Sequence, residues 1–253
     1  LVQTGKFDSR HRAQQEIKAG SVRVNGETVY KPSHQVRPVD TVDVRPKISY
    51  VSFGGVKLET AIRRFGLDFQ GKTVVDVGSS TGGFTDCALS HGAKKVFAVD
   101  VGDAQMAPSL REDSRVVLRE NINFLNTDLG DFPAVDIATV DVSFTSSLPV
   151  VQHAATLFAD ATLVVLLKPQ FEGEKGTHTG VLRRERELFR VVKAYLEKLK
   201  DSGHPACAFC EAPRQDDRGN REFFVLIDRK SQKSVETLLK SIEKKEVSAC
   251  SNT

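Results

Sequence analysis

The stretch that most constrains this chain is Val74 to Phe84, which reads Val-Val-Asp-Val-Gly-Ser-Ser-Thr-Gly-Gly-Phe. Its β-branched start predicts a buried strand that breaks at Gly78, and a helical pattern begins near Phe84. A glycine-rich turn between strand and helix lets backbone N–H groups approach a ligand that any Cβ would push away. Twenty-two residues after Gly78, Val96-Phe-Ala-Val-Asp100 reads as a second strand ending in an acid. That spacing suits a βαβ unit whose carboxylate accepts hydrogen bonds from ribose hydroxyls. A plain turn and a plain strand-end acid are the simpler alternative; the two features together favour a nucleoside site.

The turn departs from the dinucleotide pattern Gly-x-Gly-x-x-Gly, because position 80 is Ser where a pyrophosphate needs close backbone approach. A ligand without a diphosphate is expected, and S-adenosylmethionine is the common one. A second phosphate motif is a coincidence of letters. Gly66-Leu-Asp-Phe-Gln-Gly-Lys-Thr73 fits the phosphate-loop pattern, which works only between a preceding strand and a following helix. Here the periodicity predicts a helix before it, Gly55 to Phe65 with Lys57 near its start, and a strand after it.

The 253 residues, 40% hydrophobic and 27% charged, suit one globular core with a small appendage. No apolar run approaches the roughly 18 residues of a membrane span, and the first residues lack a signal peptide's apolar segment. The first residue is not Met, which reads as a trimmed N-terminus. Cys207 and Cys210 have Cys-x-x-Cys spacing, but no second pair or histidine cluster completes a metal site. They are expected to pack as small apolar residues, with no metal and in a reducing, cytoplasmic setting.

Charge is unevenly spread. Residues 1–50 carry nine Lys/Arg against five Asp/Glu, whereas the rest carries 27 against 28. A polyanion would meet the N-terminal appendage and the basic tail beyond Asp228 first. In the appendage, Ser9 is a candidate N-cap for a helix from Arg10 to about Ala19, with Gly20 as its stop. Ser21 to Tyr30 alternates around Asn25-Gly26, a hairpin signal, and Thr41 to Val44 is a further strand. Arg10, Arg12, Lys18 and Arg23 form either a phosphate-binding face or a solvated one. The segment resembles the small alpha-L RNA-binding domain, through Ser9-Arg10, Ala13, Ile17, Gly20, Val22, Val24-Asn25-Gly26, Val29 and Pro32. That domain's usual Arg-Leu-Asp opening is absent.

The expected plan is an RNA-binding unit over 1–46, a linker over 47–54, a catalytic unit over 55–230 and a tail over 231–253. In the body, candidate strands are Val96–Asp100, Val116–Leu118, Val135–Val142, Thr162–Leu167, Ala206–Cys210 and Phe223–Asp228. Leu188, Val191, Val192, Tyr195, Leu196 and Leu199 form one apolar helical stripe. Such alternation predicts an α/β fold with a mostly parallel sheet. Only Glu211 to Arg221 separates the last two strands, so a hairpin with an antiparallel final strand is expected. In the tail, Val235, Leu238, Leu239 and Ile242 predict a short docked helix, with Ser248 to Thr253 frayed.

Ligands of open α/β sheets sit beyond the carboxyl ends of the strands. Asp141 ends one strand and Lys168 ends the next; an antiparallel last strand brings Glu222 to that edge, and Lys57 can reach it. Strand ends are commonly charged because they emerge into solvent. Lys168 stands out because it follows five apolar residues directly.

With these residues the chain resembles the TlyA (hemolysin-A) family of ribosomal-RNA 2′-O-ribose methyltransferases, with an FtsJ-type, Rossmann-like catalytic domain. The resemblance is carried by Gly54-Gly55-Val56-Lys57-Leu58, Asp76 to Cys87, Ala98 to Gly102, Asp141-Val-Ser-Phe144, Lys168-Pro-Gln-Phe-Glu172 and Gly219-Asn-Arg-Glu222-Phe. It implies a Lys57, Asp141, Lys168, Glu222 tetrad and transfer of a methyl group from S-adenosylmethionine to a ribose hydroxyl of ribosomal RNA, a cytidine by resemblance. In that scheme Lys168, as the neutral amine, is the general base. Asp141 orients it and lines the donor pocket, while Lys57 and Glu222 hold the ribose. Gly78, Ser79, Ser80, Gly82, Gly83 and Phe84 border the donor's methionine and ribose, Asp100 its hydroxyls, and Asn121 the adenine. The implied partners are ribosomal RNA or ribosomal subunits, with no membrane, and the protein a monomer or weak dimer. Phe53 replaces the family's usual Arg, and Gly102-Asp-Ala-Gln105 is less typical; neither touches the tetrad. Two other readings are a non-catalytic RNA-binding or ribosome-assembly factor, which an intact tetrad argues against, and a hemolysin, for which no apolar span offers a basis.

Overall fold

The computed structural model describes the chain except residues 3, 8, 19–20, 45–49, 174–180, 183, 216–218, 232–235 and 243–253. It divides into two compact units, Leu1–Ser49 and Tyr50–Thr253.

In the first unit, helix α1 (Arg10–Lys18) precedes a three-stranded antiparallel sheet of β1 (Val22–Val24), β2 (Glu27–Thr28) and β3 (Val42–Val44), in the order β2-β1-β3. Asn25 and Gly26 take φ of 52° and 85°, the paired positive angles of a tight hairpin turn, as their sequence predicts. Ile17, Val22, Val24 and Val29 make the small core. Asp40 braces the turn by accepting from the Asn25 amide and from Arg37. The Arg37 backbone N–H, then the Asn25 amide, hold its carboxyl down at about 2. The expected stop at Gly20 lies outside the described residues.

The second unit is built on seven strands: β4 (Thr73–Val77), β5 (Lys95–Val99), β6 (Val116–Arg119), β7 (Ile137–Val140), β8 (Thr162–Leu167), β9 (Ala208–Glu211) and β10 (Phe223–Ile227). Their order is β6-β5-β4-β7-β8-β10-β9. The first five run parallel, and β10 is antiparallel to both neighbours, as expected for a hairpin return. Strand order reverses at β4, which opens a crevice at its carboxyl end.

Period-two alternation sends successive strand side chains to opposite faces. Val74, Val96, Ala98, Val164 and Leu166 pack with α2 (Phe53–Phe65) and α3 (Gly83–Ser90). Val75, Val77, Phe97, Val99 and Val165 pack with α5 (Leu148–Leu157) and α6 (Glu185–Asp201), α4 (Pro108–Arg111) being a single turn before β6. The α6 stripe is buried as predicted. Leu238, Leu239 and Ile242 of the helical stretch 236–242 join the same core; Val235 and the expected frayed end lie outside the described residues.

Several boundaries shift. Helix α2 starts at Phe53, inside the expected linker, because Gly54 and Gly55 let it press against its neighbours: a Cβ on Gly55 would stand 2.3 Å from the Tyr50 ring. Strand β7 is shorter than Val135–Val142, and β9 begins at Ala208 rather than Ala206. The phosphate-loop letters join the left-handed cap of α2 at Gly66 to β4, with helix before and strand after. Cys87 and Cys210 pack as neutral thiols, burial pushing them up to about 12 and about 11.

Candidate active site

The glycine turn after β4 is held open by backbone geometry. Gly78 has φ of 81°, and a Cβ there would stand 2.5 Å from the Asp141 carbonyl oxygen. Its N–H donates to the Val99 carbonyl at 2.8 Å, tying the turn to β5. Ser80 takes φ of 45° and donates its N–H to Asp100 Oδ2 at 2.7 Å, while the Gly102 N–H donates to Oδ1 at 2.7 Å. Asp100 is thus locked in plane by two backbone donors, with lone pairs left over for hydroxyls.

Beside it lies a cavity of about 530 Å³, a common size for a small-molecule site. Gly78, Ser80, Asp100, Asp141, Ile122 and Phe124 are in its wall. Asn121 is not: its backbone, at φ of 57°, turns the chain so that Ile122 and Asn123 line the wall, and Asn121 itself is exposed. A second hollow of about 140 Å³ continues past Ser79, Gly83 and Phe84 to Lys57. Ser79 is buried, and its hydroxyl in that wall has no protein partner among the described residues. Gly82 lines neither space; it caps α3, where a Cβ would strike Leu110 at 2.3 Å. The two hollows share Gly78, Ser80 and Asp141 in their walls, so Asp100 and Ser79 stand along one elongated space.

Asp141 lines both hollows and Lys57 the smaller one, and each carries a charged partner. Lys57 Nζ donates to Glu222 Oε2 at 2.5 Å, across 165 residues of sequence. Lys168 Nζ lies 2.6 Å from Asp141 Oδ1 and donates to the Ser143 hydroxyl at 2.6 Å. Burial raises the Asp141 carboxyl above its ordinary value, Lys168 and then Lys57 opposing that shift. Sequence reasoning singled out these four but missed Ser143, which only a loop fold aims at Lys168. It also missed Phe144, whose φ of 65° leaves its ring 91% exposed at the cavity mouth.

The basic residues of the first unit are a separate matter. Arg10 is exposed and lines a broad hollow with Lys6, Lys31 and Arg37. Arg23 lies on β1, half-buried. Arg12 and Lys18 fall on α1, and their side chains are outside the described residues.

A parallel sheet with an antiparallel return strand and a glycine turn where the strand order reverses define a Rossmann-like methyltransferase unit, here preceded by a small α+β module. Residues 50–229 match the FtsJ-like methyltransferase family and residues 1–42 match the S4 domain. The chain belongs to the FtsJ-like methyltransferases, in the group that includes TlyA and hemolysin A. It is 37% identical to "Hemolysin A" of Brachyspira hyodysenteriae, over 87% of this chain and 94% of that one. It is 35% identical to the "16S/23S rRNA (cytidine-2'-O)-methyltransferase TlyA" of Mycobacterium tuberculosis, over 93% and 90%. A solved structure of a candidate hemolysin from Streptococcus thermophilus superposes with a TM-score of 0.72 at 32% identity, covering 98% and 94%. Among the described residues no helix is long and apolar enough to cross a membrane.

Proposed function

We propose that this chain transfers the methyl group of S-adenosylmethionine to the 2′-hydroxyl of a cytidine ribose in ribosomal RNA. The observation that carries this reading is the pair of lysine–carboxylate contacts, Lys57–Glu222 and Lys168–Asp141, with Asp141 in the wall of a nucleoside-sized cavity and Lys57 in the wall of the hollow beside it. Asp100 would hold the donor's ribose hydroxyls, and Ser79 with the turn around Gly83 its amino-acid end. Bound there, the donor supplies an already activated methyl on a sulfonium, so the protein's tasks are alignment and removal of one proton. Lys168, after releasing its own proton to solvent, takes the proton of the 2′-hydroxyl while the oxygen forms its bond to the methyl carbon and the carbon–sulfur bond breaks. Asp141 and Ser143 fix where that amine points, and Lys57 with Glu222 hold the acceptor ribose. Phe144 offers the acceptor's base an exposed aromatic face. Arg10, Arg12, Lys18 and Arg23 would contact RNA phosphates in the first unit, and the setting is the cytoplasm, where ribosomes are.

Radiolabelled S-adenosylmethionine offered to intact subunits and stripped ribosomal RNA tests the reading. Label in RNA with wild type and none with Lys168→Ala, at unchanged donor affinity, is expected. Tight donor binding with no label anywhere would move the chain to the assembly-factor reading instead.

A further inference from the structure

Glu172 is a charged residue near Lys168 that the reaction as described leaves without a task. It follows the 3₁₀ turn Pro169–Phe171, which begins directly after Lys168. Its carboxylate reaches back to the loop after β7. Oε1 accepts from the Ser147 N–H and the Ser147 hydroxyl, each at 2.7 Å, and Oε2 accepts from the Ser146 hydroxyl at 2.5 Å. With its proton committed to Glu172, the Ser147 hydroxyl receives one from the Tyr195 phenol, 2.8 Å away on α6. Ser147 and Tyr195 are each only 2% exposed. Burial, with the Glu172 charge adding to it, holds the Tyr195 phenol above its ordinary range, so it remains a donor.

This chain of bonds ties the turn after β8, the loop after β7 and α6 into one unit. The loop it closes is the segment that carries Asp141 and Ser143, the two groups touching Lys168 Nζ. The loop's near end is tied to β4, where the Asp141 N–H donates to the Val77 carbonyl at 2.9 Å. Phe144 sits in the left-handed region, which side chains other than glycine rarely adopt, and its ring meets that of Phe171 at a tilt, centroids 5.6 Å apart. Backbone strain of this kind persists only where the surroundings over-determine it, and Glu172 supplies three hydrogen bonds at the loop's far end.

We propose that Glu172 is a positioning residue for methyl transfer: it clamps Ser146 and Ser147 so that Asp141 and Ser143 keep the Lys168 amine on line. The proposal rests on the reading of Lys168 as the base. The competing role is purely stabilising, a carboxylate at the N-terminus of α5, where Ser147 holds the N-cap position without a side-chain cap bond of its own.

Glu172→Ala and Glu172→Gln, with Ser143→Ala alone and combined, separate the two. Glu172→Ala is expected to lower kcat about 100-fold, the scale of a misplacement near 1 Å, with KM and donor affinity within about threefold. Glu172→Gln keeps Oε1 for both Ser147 donors and offers an amide to the Ser146 oxygen, so it should recover to within about fivefold of wild type. Adding Ser143→Ala to Glu172→Ala should cost little more, because both act through the same Lys168 contact. Losses that multiply, or a lowered melting temperature with kcat unchanged, would overturn the proposal in favour of the helix cap. Two readouts need no turnover. Amide exchange across 142–148 should quicken at least about tenfold in Glu172→Ala, and acylation of Lys168 by acetic anhydride should rise about as much. If wild type methylates no ribosomal RNA, the functional reading fails; unchanged exchange and acylation would sink the clamp on their own.

Discussion

Asp76 and Asp141 sit one strand apart, and the molecule treats them in opposite ways. Asp76 lies inside β4, wholly buried, and its partners are two hydroxyls: Thr85 on α3 donates at 2.7 Å and Thr139 on β7 at 2.8 Å. Burial raises its carboxyl to about 6. Asp141 stands just beyond β7 at the cavity wall, also raised by burial, but an ammonium 2.6 Å away opposes the shift. A buried acid with neutral partners anchors elements; here it fixes the start of α3 against the sheet. An acid with a cation at an open strand end can orient a group that reacts. Similar acids thus take different roles because only one of them meets both a lysine and a cavity.

The sharpest way to break that comparison is to remove the cation. Lys168→Ala should lower single-turnover methyl transfer by about 10³-fold, the scale of a lost general base, with donor affinity measured by calorimetry unchanged. A variant that also fails to bind donor would make Lys168 structural, like Asp76. Lys57→Ala should cost less, about 100-fold, because it leaves the base in place and loosens the acceptor instead; its signature is a raised KM for the RNA.

The anchoring acid makes a prediction about stability. Because the folded state holds the Asp76 proton up to about 6 and the unfolded chain releases it near 3.8, folding is most favoured below the lower value. Stability then falls as pH rises through this window, by about 3 kcal/mol in all, and stays lower above it. Urea midpoints from pH 4 to 8 should show this slope in wild type and lose it in Asp76→Asn. A slope retained in Asp76→Asn would assign the titration to another group. The smallest effect belongs to the first unit: Arg10→Glu should weaken ribosomal RNA binding only several-fold and flatten its salt dependence, leaving turnover at saturating RNA intact.

Much of the catalytic unit was legible. The strand–turn–helix at Val74 to Phe84 and the later strands are local patterns, since period-two alternation and glycine placement depend on a few neighbouring residues. The types at the strand ends were legible too, because an open sheet delivers every parallel strand's carboxyl end to one edge. Asn121 was expected beside the adenine, and the left-handed turn at that residue puts Ile122 and Asn123 in the cavity wall in its place. Helix α2 was begun two residues late because Phe53 and Gly54 read as linker; Gly54 against Phe84 and Gly55 against the Tyr50 ring are what allow the helix to start there.

What the sequence by itself determined is therefore the order of elements, the faces they bury and the four charged residues that reach one edge. What only the tertiary structure decided is contact between loops: Ser143 on Lys168, Glu172 on Ser146 and Ser147, and Phe144 left bare at the cavity mouth. The physical reason is that periodicity encodes which way a helix or strand faces. A loop has no period, so the direction of its side chains is set by whichever distant hydrogen bonds close it.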